Sequence, residues 1–252
     1  MRMKRFIKSA AERLGYRIEG IKYTPRHLLD RERVRRLEFD DLVCRHMVEH
    51  GPRITFVQVG AFDGVSTDPL RKYLERYEWR GVMLEPQPGP AARLRELYRN
   101  DDRIVVLEAA IDGQRGTRNL YTIESDRVPR WAYGLASFDR MHLLNHRRLI
   151  PDIESMVRAL PVECITFDDV LSRLPTAHLD LLQIDAEGAD AYILSLFPFD
   201  RVKPAIVQWE GKNLTKPEKE NAFDRLCSNG YLVAASGEEN MVAALAQLPG
   251  NS

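Results

Sequence analysis

The stretch Ile54-Thr-Phe-Val-Gln-Val-Gly-Ala-Phe-Asp-Gly64 decides how the chain is read. Its first six residues are short, apolar and rich in β-branched side chains, with Gly51-Pro52 before them and Gly60 after. That is the pattern of a buried strand, too short for a helix. The turn from Gly60 to Gly64 lets the backbone bend tightly and come close to a ligand. Its G-x-x-x-G spacing is not the G-x-G-x-x-G of a pyrophosphate site, and Asp63 inside it would repel a diphosphate.

Outward from this strand the pattern repeats. Asp68-Pro69 reads as an N-cap and first turn of a helix through residue 77. Residues 81–85 form a second strand, 90–98 a helix and 104–108 a third strand. Such alternation predicts an α/β fold, a mostly parallel sheet with helices on both faces joined by right-handed crossovers. Residues 117–123 read as an extra strand. Residues 126–160 have weak periodicity and read as a long irregular insertion, the usual form of a lid or acceptor-binding loop. Thr166-Phe-Asp-Asp169 has the form of a capped helix start. Residues 179–185 and 204–210 supply a fourth and a fifth strand, 217–228 a helix, and 231–235 with 241–245 a closing antiparallel hairpin. Before all this, Met3, Phe6, Ile7, Ala10 and Leu14 recur at helical spacing, and a second helix spans residues 29–49. The chain divides into an N-terminal helical arm, residues 1–50, and one main domain, residues 51–252.

With 252 residues, 44% of them hydrophobic, the chain can bury one sizeable core. Its 37 basic and 37 acidic residues balance, so no global field points to nucleic acid. The arm is the exception. Residues 1–36 hold twelve Lys or Arg against four Asp or Glu, which suits docking on the sheet or on a second copy in a homo-oligomer, or weak contact with an anionic membrane surface. Cys44, Cys164 and Cys227 are odd in number and lack C-x-x-C spacing, so they read as reduced, buried thiols of a cytoplasmic protein. No apolar run reaches the ~18–20 residues of a membrane span, and the charged start lacks a signal peptide's apolar block.

In an open parallel sheet, ligands bind outside the carboxyl ends of the strands. The candidates are therefore Gln58, Gly60, Asp63 and Gly64 around the first turn, Glu85 and Pro86 after the second strand, Ala110 after the third, Asp185 and Glu187 after the fourth, and Glu210 after the fifth. Acidic strand ends suit ribose hydroxyls and a cationic amine or sulfonium better than phosphates. Glu85 can accept hydrogen bonds from both hydroxyls of a ribose. Asp185 and Glu187 face one side if the strand continues and line the cleft together if it turns at Gly188. Burying both would raise one pKa or demand a cation.

At these residues the chain resembles the FkbM family of methyltransferases. Val57-Gln-Val-Gly-Ala-Phe-Asp-Gly-Val65 resembles its opening turn and Val82-Met-Leu-Glu-Pro86 its ribose-binding strand. Ile165-Thr-Phe-Asp-Asp-Val-Leu171 and residues 179–188 resemble two further motifs. The resemblance covers roughly residues 54–211. It implies a Rossmann-like class I fold, S-adenosylmethionine as cofactor, and O-methylation of a hydroxyl on a carbohydrate, glycolipid or natural product. Two positions depart from the pattern. Gln58 stands where an acid is common, weakening the expected hold on the cofactor's amino group, and Gln183 stands where a lysine is usual.

Methyl transfer from a sulfonium is an in-line displacement, in which positioning does much of the catalysis. By the resemblance, Asp185 sits at the cofactor's methionine end, with Glu187 as base or brace; His142 on the insertion is the other candidate base. A divalent cation on Asp185 and Glu210 is a further way to activate a hydroxyl. Two competing readings are a nucleotide-dependent oxidoreductase, which the glycine spacing disfavours, and a catalytically degenerate scaffold that binds cofactor without turnover.

Overall fold

The computed structural model describes residues 37–123, 128, 132 and 134–246. The first helix expected in the arm, and the start of the second, lie outside these residues. The described part of the arm is α1 (Phe39–His50), which buries Phe39, Leu42 and Val43. It is tied to the sheet by the backbone N–H of Phe39, which donates to Ser236 Oγ at 3.1 Å, and by His46, whose Nε2 lies 2.8 Å from Asp180 Oδ1.

The main sheet has seven strands: β1 (Thr55–Val59), β2 (Arg80–Leu84), β3 (Ile104–Leu107), β8 (Leu181–Ile184), β9 (Ile206–Glu210), β10 (Tyr231–Ser236) and β11 (Asn240–Leu245). Their spatial order is β10-β11-β9-β8-β1-β2-β3. The first three and β8–β9 pair in parallel, and β11 runs antiparallel between β9 and β10. This is the Rossmann-like arrangement with a C-terminal hairpin expected of a class I methyltransferase fold. Because β1, β2 and β3 run to one side and β8 lies on the other, the strand order reverses between β1 and β8.

Side chains alternate across the sheet, so each strand feeds two cores. Val57, Val82, Leu182 and Val207 pack against α6 (Phe167–Leu171), α7 (Asp190–Leu196) and α8 (Lys216–Ser228). Phe56, Met83, Leu181 and Ile206 face the other way, onto α1, α2 (Arg71–Leu74) and α3 (Pro88–Tyr98). The α6 start carries the expected capping box, with Thr166 and Asp169 bonded reciprocally.

Four expectations need correction. The helix after Asp68-Pro69 is a single turn, α2, with Leu70 at its N-cap; Asp68 accepts the Leu70 N–H at 2.8 Å and also the Gln58 amide at 3.0 Å. The described part of the segment 126–160 is not irregular. It contributes β6 (Ala136–Ser137), α4 (Arg140–Leu144), a 3-10 turn (Asn145–Arg148), α5 (Ile153–Met156) and the start of β7 (Val157–Ile165). With β4 (Ala110–Ile111) and β5 (Gly116–Ile123) these strands make a second sheet ordered β4-β7-β5-β6. The segment also has a small core of its own around Leu135, Leu143, Ile150 and Ile153. The helix α7 had no counterpart in the sequence reading. Of the cysteines, Cys164 alone is buried, while Cys44 and Cys227 are exposed.

Candidate active site

A cavity of about 900 Å³ opens at the carboxyl ends of β1, β2 and β8, at the reversal of strand order. Its volume lies within the range of small-molecule sites. Gly60 makes the junction possible. The N–H groups of Gly60 and Ala61 both donate to the Leu84 carbonyl at 2.9 Å, and Asp185 N–H donates to the Val59 carbonyl at 2.9 Å. The ends of β1 and β8 come so close that a Cβ on Gly60 would lie 1.7 Å from the Asp185 carbonyl oxygen. The glycine is thus demanded by the neighbouring strand as well as by its φ of 81°.

Glu85 is 3% exposed and fixed from both sides. Its Oε2 accepts the Phe62 N–H at 3.0 Å and its Oε1 the Gln87 N–H at 2.8 Å. Burial, only partly offset by these hydrogen bonds, pushes its carboxyl up to about 7. It retains lone pairs for two further donors, which is the acceptor pattern a ribose diol requires. Phe62, in left-handed backbone at φ 48°, lies under the Arg93 guanidinium at 5.7 Å. Pro86 and Ala110 complete this wall, Ala110 as the first residue of β4 in the second sheet.

After β8 the chain turns: Glu187 and Gly188 both have positive φ, 47° and 95°. Asp185 and Glu187 therefore both line the cavity. Asp190, fully buried at the start of α7, holds the turn by accepting the Gly188 N–H at 3.2 Å and the Glu210 N–H at 3.1 Å. Asn213 bridges the acids, donating to Glu210 Oε2 at 2.8 Å and Glu187 Oε2 at 3.2 Å. Burial and the neighbouring carboxylates push Glu187 up to about 8 and Glu210 up to about 7. Asp185 is raised as well, by the loss of solvation against the cavity walls and by Glu239.

Not every expected residue reaches the cavity. Gly64 packs under α3, where a Cβ would lie 2.6 Å from Leu94 Cδ1, so its place is structural. Asp63 borders the cavity, but its carboxylate is engaged in the turn, accepting the N–H groups of Val65 at 3.0 Å and Ser66 at 2.7 Å. His142 lies behind the Glu187 turn, its Nε2 4.0 Å from Glu187 Oε2. Burial and nearby His146 lower its pKa. Among the described residues, no group of three or more His, Cys, Asp or Glu is arranged to hold a metal ion. The pairing of Asp185 with Glu210 around a cation gains no support.

Conversely, sequence reading missed Asp68, Asn213 and Asp190, and the contribution of Ser137 and Phe138 to the cavity wall. Asp68 carried a misleading signal, since Asp-Pro is a common helix start. Asp190 lies two residues beyond the turn it holds, whereas Ser137 and Phe138 are distant in sequence from the turns around the cavity.

The model of the Methyltransferase FkbM domain matches residues 58–233. The chain belongs to the FkbM methyltransferase family. Among solved structures, the chain is similar to an FkbM methyltransferase from Methylobacillus flagellatus KT, at 13% identity over 88% of this chain and 50% of that one, with a TM-score of 0.48. It thus spans about half the length of that protein. It is also similar to a ribosomal protein L11 methylase from Lactobacillus delbrueckii subsp. bulgaricus, with 8% identity over 82% and 79% of the two chains and a TM-score of 0.40. A third likeness is to the N-terminal domain of human METTL16, with 11% identity, 94% and 77% coverage and a TM-score of 0.43. No curated protein matches the chain. Among the described residues, no helix is long and apolar enough to cross a membrane.

Proposed function

We propose that this FkbM-family chain is an S-adenosylmethionine-dependent O-methyltransferase acting on a hydroxyl of a carbohydrate, glycolipid or natural product. The observation that carries the cofactor reading is Glu85. It is a buried carboxylate at the end of β2, held rigid by two backbone donors on the wall of the cavity at the strand-order reversal. Its residual acceptor capacity matches a ribose diol. Acidic residues at three sides of the cavity also suit a cationic ligand and oppose a diphosphate.

When bound, the cofactor supplies an electrophilic methyl group on a sulfonium. The chain's own task is to hold the acceptor in line and to take its proton. Glu187 and Asp185 fit that role, because a carboxyl raised toward neutrality is a better base once ionised. His142 Nε2 lies 4.0 Å from Glu187 Oε2, beyond hydrogen-bond reach, and has no hydrogen-bond partner among the described residues. Segment 134–160 is the part we assign to acceptor choice, since Gly134, Ala136, Ser137 and Phe138 form one wall of the cavity.

Calorimetry on the wild type with S-adenosylmethionine, S-adenosylhomocysteine and NAD tests the cofactor. Both sulfur ligands are expected to bind and NAD not to. Glu85→Ala is expected to weaken them about tenfold to a hundredfold, the effect of losing a charged hydrogen-bond acceptor worth roughly 1.5–3 kcal/mol. Failure of either sulfur ligand to bind, or unchanged affinity in Glu85→Ala, would end the cofactor reading. Transfer of a labelled methyl group to a panel of glycans tests the acceptor. Tight cofactor binding without transfer to any hydroxyl compound would favour a non-catalytic scaffold.

A further inference from the structure

The strand position where the family resemblance calls for an acid is occupied by Gln58, yet the acid has not left the site. Gln58 is 1% exposed and donates through Nε2 to Asp68 Oδ1 at 3.0 Å. Both residues line the cavity beside the first turn. Asp68 Oδ1 also accepts the Leu70 N–H at 2.8 Å, which fixes the carboxylate against the start of α2. Two oxygens remain. Gln58 Oε1 and Asp68 Oδ2 are both buried, and neither accepts a hydrogen bond from the protein. Buried acceptors without donors are uncommon and call for an explanation.

The chemistry of this corner is one-sided. It offers an amide oxygen and a carboxylate oxygen, with the amide's donor already committed to the carboxylate. A group that carries several donors, no acceptor and a positive charge satisfies both oxygens at once; an ammonium is such a group. The protein's own nearby cation does not fill the role. Arg71 lowers the Asp68 carboxyl through its charge, but its Nη1 is buried and makes no hydrogen bond to Asp68 Oδ2 or any other group among the described residues, its Nε is bonded to Glu75 at 2.7 Å, and it does not line the cavity.

We propose that Asp68, oriented by Gln58, is the anionic receptor for the α-ammonium group of the bound sulfur cofactor, replacing the strand acid that Gln58 has displaced. The inference rests on the proposed cofactor and adds which residue of this chain binds one end of it. Burial raises the Asp68 carboxyl above its usual value, against the hydrogen bonds from Leu70 and Gln58 that lower it. An arriving ammonium would relieve that cost by pairing the charge.

The test compares two ligands that differ in the amine alone: S-adenosylhomocysteine and its deaminated analogue, titrated calorimetrically into the full chain. The wild type is expected to prefer the amine-bearing ligand about tenfold or more. Asp68→Asn is expected to remove most of that preference while its affinity for the deaminated ligand stays within about twofold. Asp68→Ser, which keeps a capping hydroxyl for the Leu70 N–H, carries the same comparison if the asparagine variant does not fold. Equal wild-type affinity for the two ligands overturns the proposal. So does a preference that survives in the Asp68 variants but disappears in Asp185→Asn, which would move the receptor to β8. Loss of both ligands in equal measure assigns Asp68 a structural role and also overturns it. If the wild type binds neither ligand, the cofactor reading itself fails, and this assignment with it.

Discussion

A side chain at position 60 would have to occupy the space of the Asp185 carbonyl group, since its Cβ would lie 1.7 Å from that oxygen. Gly60 also has positive φ, which costs an L-residue about 1–3 kcal/mol. Gly60→Ala is therefore expected to lose about 4 kcal/mol or more of stability, the range reserved for severe packing or backbone faults. Gly116→Ala is the control, because its Cβ would meet nothing within 4 Å; thermal denaturation should separate the two clearly. A Gly60 variant as stable as the control would show that the β1 and β8 ends can separate freely. The G-x-x-x-G spacing marked this turn in the sequence, but it made the two glycines look alike. Gly60 serves the contact between strands, whereas Gly64 serves the packing of α3.

At the scale of elements, the loops after β8 and β9 bring Glu187, Asp190 and Glu210 into one neighbourhood, and all three carboxyls are raised by burial first and then by nearby carboxylates, Asp185 foremost for Asp190 and Glu210 and Glu210 for Glu187. For Glu187 the ordinary value is 4.5 and the folded value about 8. Between these limits the folded chain holds a proton that the unfolded chain has released, so stability falls as pH rises through the window. Activity should move the other way, because a general base must be ionised. Melting temperature is expected to drop, and methyl transfer to increase, from about pH 5 to about pH 8. Glu187→Gln should reduce the pH dependence of the melting temperature, leaving the share due to Asp190, Glu210 and Glu85, and abolish or greatly reduce transfer. A variant that melts with the wild-type pH dependence would exclude Glu187 as the source of the slope. The clustering was half legible: the D-A-E-G stretch pointed to a turn, while the bond from Asp190 to the Glu210 N–H and the bridge made by Asn213 enter only through the contact of that turn with the end of β9.

Across the whole molecule, the two departures from the family pattern prove to be neighbours. Gln58 on β1 is in register with Gln183 on β8, which is in register with Gln208 on β9. The three side chains form a row on one face of the sheet, 1%, 3% and 5% exposed, and each leaves its Oε1 buried without a donor. An acid at 58 and a lysine at 183, as the resemblance expects, would stand side by side and neutralise each other. Replacing both by glutamine leaves the pair of positions without net charge, so neither change should be judged alone. Gln183→Lys is expected to cost about 3–5 kcal/mol, as an unpaired buried charge does. Adding Gln58→Asp should restore a large part of it, and a double-mutant cycle on denaturant unfolding measures the coupling. Additive single effects would break the proposed link between the positions.

The strands of the main sheet were readable from the sequence, because hydrophobic periodicity, turn glycines and caps act over a few residues. Glu85 and Asp185 were readable for the same reason, as acids that end apolar runs. Short-range signals could not reveal the second sheet, since β5 and β7 pair across more than thirty residues of intervening chain and the strand β7 resembles the loop around it in composition. Nor could they reveal the partnership of Gln58 with Asp68, which a local reading had assigned to capping a helix. The turn after β1 was visible as a ligand site from its residues alone. Only the tertiary structure decided which of those residues face the cavity, which face the neighbouring strand, and where the negative charge of that site resides.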